Sequence, residues 1–203
     1  MRNFRQAFVI GALVYTLALR LMPYVLQRFA GLDISSEAVY PWNFSPLTAT
    51  CLLGGAVLAS RKQSLTYPLV MLLVSDLAIG LVSGHWEFAF HSTMPIVYAC
   101  VVFQTVLGMW VGKRTTVARI AGVAVISEVV FFMLTNLGAF FTYNMYPHTL
   151  GGLAACYIAA LPFLRLSLFS TAVYSIALFG GLAYAERGVS VGEPVAETVP
   201  SGR

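Results

Sequence analysis

Residues 65–82 read Leu65-Thr66-Tyr67-Pro68-Leu69-Val70-Met71-Leu72-Leu73-Val74-Ser75-Asp76-Leu77-Ala78-Ile79-Gly80-Leu81-Val82. The stretch carries one charge, Asp76. As an α-helix it would be about 27 Å long, close to the roughly 30 Å hydrocarbon core of a bilayer. A charge inside such a segment is expensive and needs a structural or functional reason.

The same reading applies along the chain. Residues 6–22, 93–112, 117–141 and 166–185 form further apolar stretches of spanning or near-spanning length, and residues 46–60 a shorter one. The whole chain is 59% hydrophobic and 10% charged. Soluble domains carry about 25% charged residues. A soluble fold this apolar would expose large sticky patches. The composition therefore specifies an all-α, polytopic membrane protein, with residues 1–187 as a single transmembrane domain. Arg2 and Arg5 before the first apolar run resemble a signal peptide, but no small-residue cleavage site follows. The run is read as a retained helix ending near Arg20-Leu21-Met22-Pro23.

Residues 149–164 are apolar but short, rich in Gly and Ala, and reach Pro162. They are expected to form a short re-entrant or interfacial helix packed against protein. The basic residues decide the crossing number. With six crossings, Arg2, Arg5, Arg61, Lys62, Lys113, Arg114, Arg119, Arg187 and Arg203 share one side, opposite Arg20, Arg28 and Arg165. Cationic loops stay in the cytoplasm, so six transmembrane helices are expected in a bacterial inner membrane, with both termini cytoplasmic. The net charge of +4 is spread over these short clusters, which excludes a nucleic-acid partner. Residues 188–203 lack periodicity and are expected to be a disordered cytoplasmic tail.

Polar groups within the apolar stretches are the candidate functional residues. Asp76 and Glu128 lie inside spans, and Arg20 and Arg165 lie near span ends. Structural ion pairs, or snorkelling arginines beside hydrogen-bonded acids, are one reading of these four. The other is that they line a cavity for a polar ligand or a coupled cation. Trp42 and Asn43 precede the second span in Pro41-Trp42-Asn43-Phe44-Ser45-Pro46, whose prolines prevent regular helix. Thr135 and Asn136 lie in the outer half of the fifth span, and a buried amide needs partners. The ligand-binding set is therefore Asn43, Asp76 and Asn136, with Arg20 as charge partner and Trp42 and Glu128 nearby.

Other chemistry is poorly supported. His85, His91 and His148 show no ligand spacing, so no metal site is expected. No GxSxG, Walker A or GxGxxG motif is present, so neither an enzyme nor a cofactor is expected. Cys51, Cys100 and Cys156 are isolated within apolar stretches, where cysteine acts as a small hydrophobe. Small residues suited to close helix packing recur at Gly54, Gly55, Ala56 and Ala59, at Gly151, Gly152, Ala155 and Ala159, and at Gly180 and Gly181.

Several motifs together resemble a family of uncharacterised bacterial membrane proteins assigned to transport. They are Asn43-Phe44-Ser45-Pro46 with Gly54-Gly55, Ser75-Asp76 with Gly80, Phe131-Phe132, Thr135-Asn136 with Gly138, and Tyr146-Pro147 with Thr149. The run Gly152-Leu153, Cys156-Tyr157, Ala159-Ala160 and Pro162-Phe163 completes the match. That family is distantly similar to the S-components of energy-coupling factor (ECF) transporters. The resemblance implies a six-helix S-component-like domain with an outward-facing ligand pocket, energised by a separate membrane subunit and ATPases. Cys51 stands where the family pattern suggests a plain small residue.

The sequence thus points to a small-solute transporter, or its substrate-binding subunit, for a vitamin, cofactor precursor or metal. Its partners would be membrane lipid, the solute and an energising membrane subunit. Two other readings remain open. One is a membrane enzyme acting on a lipid or quinone through Glu128, His148 and Cys156. The other is a non-catalytic membrane scaffold.

Overall fold

Six helices of eleven residues or more, and one of a single turn, account for nearly all of the described backbone. The computed structural model describes residues 2–32 and 43–192, and side chains as far as Arg187. The helices are α1 (Arg2–Ala30), α2 (Leu47–Val57), α3 (Arg61–Ser83), α4 (Trp86–Ala89), α5 (Met94–Gly112), α6 (Val117–Thr142) and α7 (Leu150–Gly192). No strand occurs among the described residues. Five segments are long and apolar enough to cross a membrane: α1, α3, α4 with α5, α6, and most of α7. The protein is therefore a multi-pass helical membrane protein. Large apolar side chains such as Val14, Leu81, Phe141 and Ile176 point outward, where lipid solvates them.

Local chemistry explains the helix ends. Ser60 caps α3 by accepting the Gln63 amide at 3.4 Å, and Thr116 caps α6 by accepting the Arg119 amide at 3.3 Å. Gly84 closes α3 with φ 75°, a left-handed value that glycine adopts without Cβ strain.

α2 is the centre of the bundle. It is only 11 residues long, about 17 Å, and too short to cross a bilayer. It touches α1, α3, α5, α6 and α7. Its residues Thr48 to Gly55 are buried. The closest packing is with α5. A Cβ on Gly108 would overlap the Leu52 carbonyl, one on Gly112 the Ala56 carbonyl, and one on Gly55 the Thr105 carbonyl. Gly108 and Gly112 form a GxxxG pair that lets two backbones touch where lipid supplies no hydrophobic drive. The matching order, 52 with 108 and 56 with 112, makes α2 and α5 parallel. Against α1, α2 is antiparallel: Thr16 Oγ1 meets Thr50 Oγ1 at 3.0 Å, and Gly54 lies over Val9.

The ends of the bundle sort by charge. Arg5 pairs with Glu186 at 2.5 Å, joining the start of α1 to the last turns of α7. Gln6 donates to the Tyr67 hydroxyl at 2.7 Å, and Arg119 stacks on Trp110 at 4.4 Å. The basic connections α2–α3 and α5–α6 thus share one end with both described chain ends.

Two expectations about prolines are corrected. The first helix was expected to end near Pro23, but α1 continues through it to Ala30. The proline lacks the N–H for one internal bond, and the neighbouring turns carry the helix past it. Residues 149–164 were expected to form a helix separate from the last span, yet α7 is one helix of 43 residues with Pro162 inside. Tyr157 donates to the Met133 carbonyl at 2.8 Å, and Thr171 donates to Glu128 at 2.5 Å, so α7 meets α6 on both sides of Pro162. α7 also continues beyond Gly188 to Gly192, so part of the expected tail is helical. Residues 193–203 lie outside the described residues.

Candidate functional site

Asp76 is 1% exposed in the middle of the bundle. Both of its carboxylate oxygens are occupied. Arg20 Nη2 from α1 donates to Oδ1 at 2.7 Å, and the Tyr98 hydroxyl from α5 donates to Oδ2 at 2.8 Å. Arg20 Nε donates to Ser75 Oγ at 2.8 Å, and that hydroxyl donates to the Leu72 carbonyl at 2.7 Å. Three helices thus meet on one carboxylate. Removing two charges from water costs several kcal/mol per ion, and only close pairing with further hydrogen bonds compensates it.

The pair lines a cavity of about 290 Å³. That is near the lower end of pockets that hold small molecules. Its wall includes Arg20, Pro23 and Tyr24 from α1, Asp76 and Ile79 from α3, and Gln104 from α5. α6 contributes Glu128 and Phe131, and α7 contributes Ser167 and Thr171. Asn43, Phe44, Ser45, Phe88 and His91 line it from outside the long helices. Because α2 is short, the non-helical backbone of residues 43–46 lies against the cavity. Phe44 holds it in place, packing on Phe169 at 6.1 Å and Tyr174 at 5.4 Å. Ser170 donates to the Ser45 carbonyl at 2.9 Å. Irregular backbone at membrane depth is tolerated where it lines a cavity and its polar groups are met.

Glu128, the second intramembrane acid, is 4% exposed. Thr171 Oγ1 donates to its Oε1 at 2.5 Å. Among the described residues no cation pairs with it. Arg165 is exposed on α7 and does not reach it. Of the two ion pairs allowed by the sequence, Arg20 with Asp76 forms and an arginine with Glu128 does not.

The structure therefore brings together Arg20, Asp76, Asn43 and Glu128 from the expected ligand-binding set. Asn136 does not join them. It is half-buried on α6, its Nδ2 donates to the Phe132 carbonyl at 2.8 Å, and it is not part of the cavity wall. The amide was expected to need a partner in a pocket, but its own helix supplies one. Trp42 lies outside the described residues. Three further residues, Gln104, Tyr98 and Thr171, belong to the site or to its support. Gln104 was detectable as an amide within an apolar stretch, the criterion that singled out Asn136.

The residues named for lipid or quinone chemistry are not assembled. His148 Nε2 lies 3.0 Å from the Phe140 carbonyl, and Cys156 Sγ lies 3.8 Å from the Asn136 carbonyl. Neither lines the cavity that holds Glu128. Of the other histidines, His91 lines the cavity and contacts Thr93 Oγ1 at 2.8 Å, whereas His85 contacts Glu87 at 2.8 Å. Cys51 is fully buried on α2, so the small-residue position it fills is a packing position.

The fold and this cavity define a class: multi-pass helical membrane proteins with a polar, partly charged chamber between their helices. The chain belongs to a family of unknown function, DUF6580, whose model matches residues 2–194. No curated protein and no solved structure matches it.

Proposed function

We propose that the protein is a small-solute membrane transporter, or the substrate-binding subunit of one, and that the Arg20–Asp76 cavity is its solute site. One observation carries this reading. A buried ion pair, held by three helices, faces a chamber of about 290 Å³ rather than closing on itself. A purely structural pair is better satisfied without a cavity, because open space beside it forfeits contacts. A helix too short to span, with irregular backbone at its end, is also a way that transporters build sites at membrane depth. The resemblance to S-components adds a solute class: a vitamin, cofactor precursor or metal. On this reading the irregular backbone of residues 43–46 and the short α2 together make a sixth passage beside the five long spans, which places both termini in the cytoplasm of a bacterial inner membrane. The chain carries no nucleotide-binding motif, so a separate energising subunit or an ion gradient would drive transport.

The test is a thermal-shift screen of the purified protein against vitamins, cofactor precursors, nucleobases and metal ions. A ligand at a hundred times its Kd stabilises the folded state by about 2.7 kcal/mol. A compound that raises the Tm of wild type, but not of Asp76→Asn, supports the proposal. A hit that shifts both equally binds elsewhere and removes Asp76 from the site.

A further inference from the structure

We infer that the part of the cavity at Glu128 and Gln104 is a subsite for a single positive charge, carried by Na+ or by an ammonium group on a solute. This deepens the proposed function and rests on the same cavity.

Among the described residues the cavity is lined by one guanidinium, Arg20, two carboxyls, Asp76 and Glu128, and the imidazole of His91. Arg20 is committed to Asp76 at 2.7 Å. Glu128 receives a neutral hydroxyl from Thr171 and no cation among the described residues. A carboxylate at membrane depth with only a hydroxyl for company is costly, and a bound cation would remove that cost.

Gln104 is 1% exposed, and its Oε1 has no hydrogen-bond partner among the described residues. A buried unsatisfied amide oxygen costs about 1–3 kcal/mol. Such a group has a reason to be there if a ligand completes it. Gln104 lines the same cavity as Glu128. A carboxylate, an amide oxygen and a hydroxyl form an all-oxygen acceptor set, suited to an ammonium or to a hard cation.

The experiment titrates NaCl and, separately, methylammonium chloride into wild type, Glu128→Gln and Gln104→Leu in detergent, reading Tm. Wild type should show a saturable rise of several degrees with at least one cation, and Glu128→Gln should lose it. A response to Na+ alone assigns a free cation, and a response to methylammonium alone assigns a solute amine. Gln104→Leu keeps the volume and removes the unpaired oxygen. It should fold at least as stably as wild type yet need several-fold more cation for half its shift. The inference is overturned if neither salt gives a saturable rise, if Glu128→Gln responds like wild type, or if Gln104→Leu binds unchanged. In those cases Asp76-dependent shifts in the solute screen would still stand, so the two proposals fail separately.

Discussion

Arg20 Nη2 stands 2.7 Å from Asp76 Oδ1, and the two residues join α1 to α3 on the wall of one cavity. The side chain of Asp76 is 1% exposed and that of Arg20 22%. Breaking a buried pair by removing one partner costs about 3–5 kcal/mol, because the other charge is left uncompensated. Asp76→Leu and Arg20→Met should each lower Tm, with Asp76→Leu the milder because its orphaned Arg20 keeps some solvent contact. The double variant should recover part of the loss. A double variant as unstable as the sum of the singles, read by thermal melting, would show that the pair is not coupled.

The contact of α2 with α5 makes a sharp prediction about glycine. Gly108→Ala forces a methyl group into the Leu52 backbone, which cannot move as a side chain can. Gly122→Ala on α6 meets nothing within 4 Å and gains helix propensity of about 1 kcal/mol. The first should reduce folded yield and Tm sharply. The second should leave Tm unchanged or raise it. Fluorescence size-exclusion melting of the two variants side by side distinguishes them.

Thr171 is 2% exposed and supplies the one hydroxyl that Glu128 receives at 2.5 Å. Thr171→Val keeps the shape and removes the donor. The expected loss is about 0.6–2 kcal/mol, between the average for polar contacts in membranes and that for bonds to charged groups in water. Thr171→Ser keeps the donor and should lose less. Equal stability of the Val and Ser variants would contradict the assigned bond.

The arrangement of helix ends predicts labelling from two sides. Cysteines at Arg61, Lys113 and Arg187 belong to one end of the bundle, and a cysteine at Met145, 67% exposed in the α6–α7 connection, to the other. In oriented vesicles an impermeant thiol reagent should reach the first three from one face and Met145→Cys from the opposite face. Labelling of Lys113→Cys and Met145→Cys from the same face would contradict the direction of α6.

Much of the fold was legible because lipid enforces a simple rule. Residues 93–112 and 117–141 were expected as spans, and α5 and α6 occupy Met94–Gly112 and Val117–Thr142. Prolines misled the reading at Pro23 and Pro162. In water a proline usually ends a helix, whereas surrounding helices can carry one past the missing bond. The GxxxG pair of Gly108 and Gly112 was present in the sequence but overlooked beside the Gly54-Gly55 doublet it packs near. Of the charged candidates, Arg20, Asp76 and Glu128 line one cavity and Arg165 is exposed on α7; of the amides, Asn43 lines it and Asn136 does not. Asn136 satisfies itself on its own turn, whereas Gln104 leaves an oxygen unpaired, and only three-dimensional placement separates the two.

The central claim is that the polar side chains converge on one water-accessible chamber inside a lipid-facing bundle. Single cysteines at Thr48, Phe131 and Ser167, all on the cavity wall, test it in a background with the three native cysteines replaced by alanine. Leu73, Ile126 and Leu134 on the outer surface serve as controls. The account predicts that a small, charged methanethiosulfonate reagent modifies the cavity cysteines in intact membranes and leaves the controls unmodified. Cavity cysteines as inert as the lipid-facing ones would contradict it.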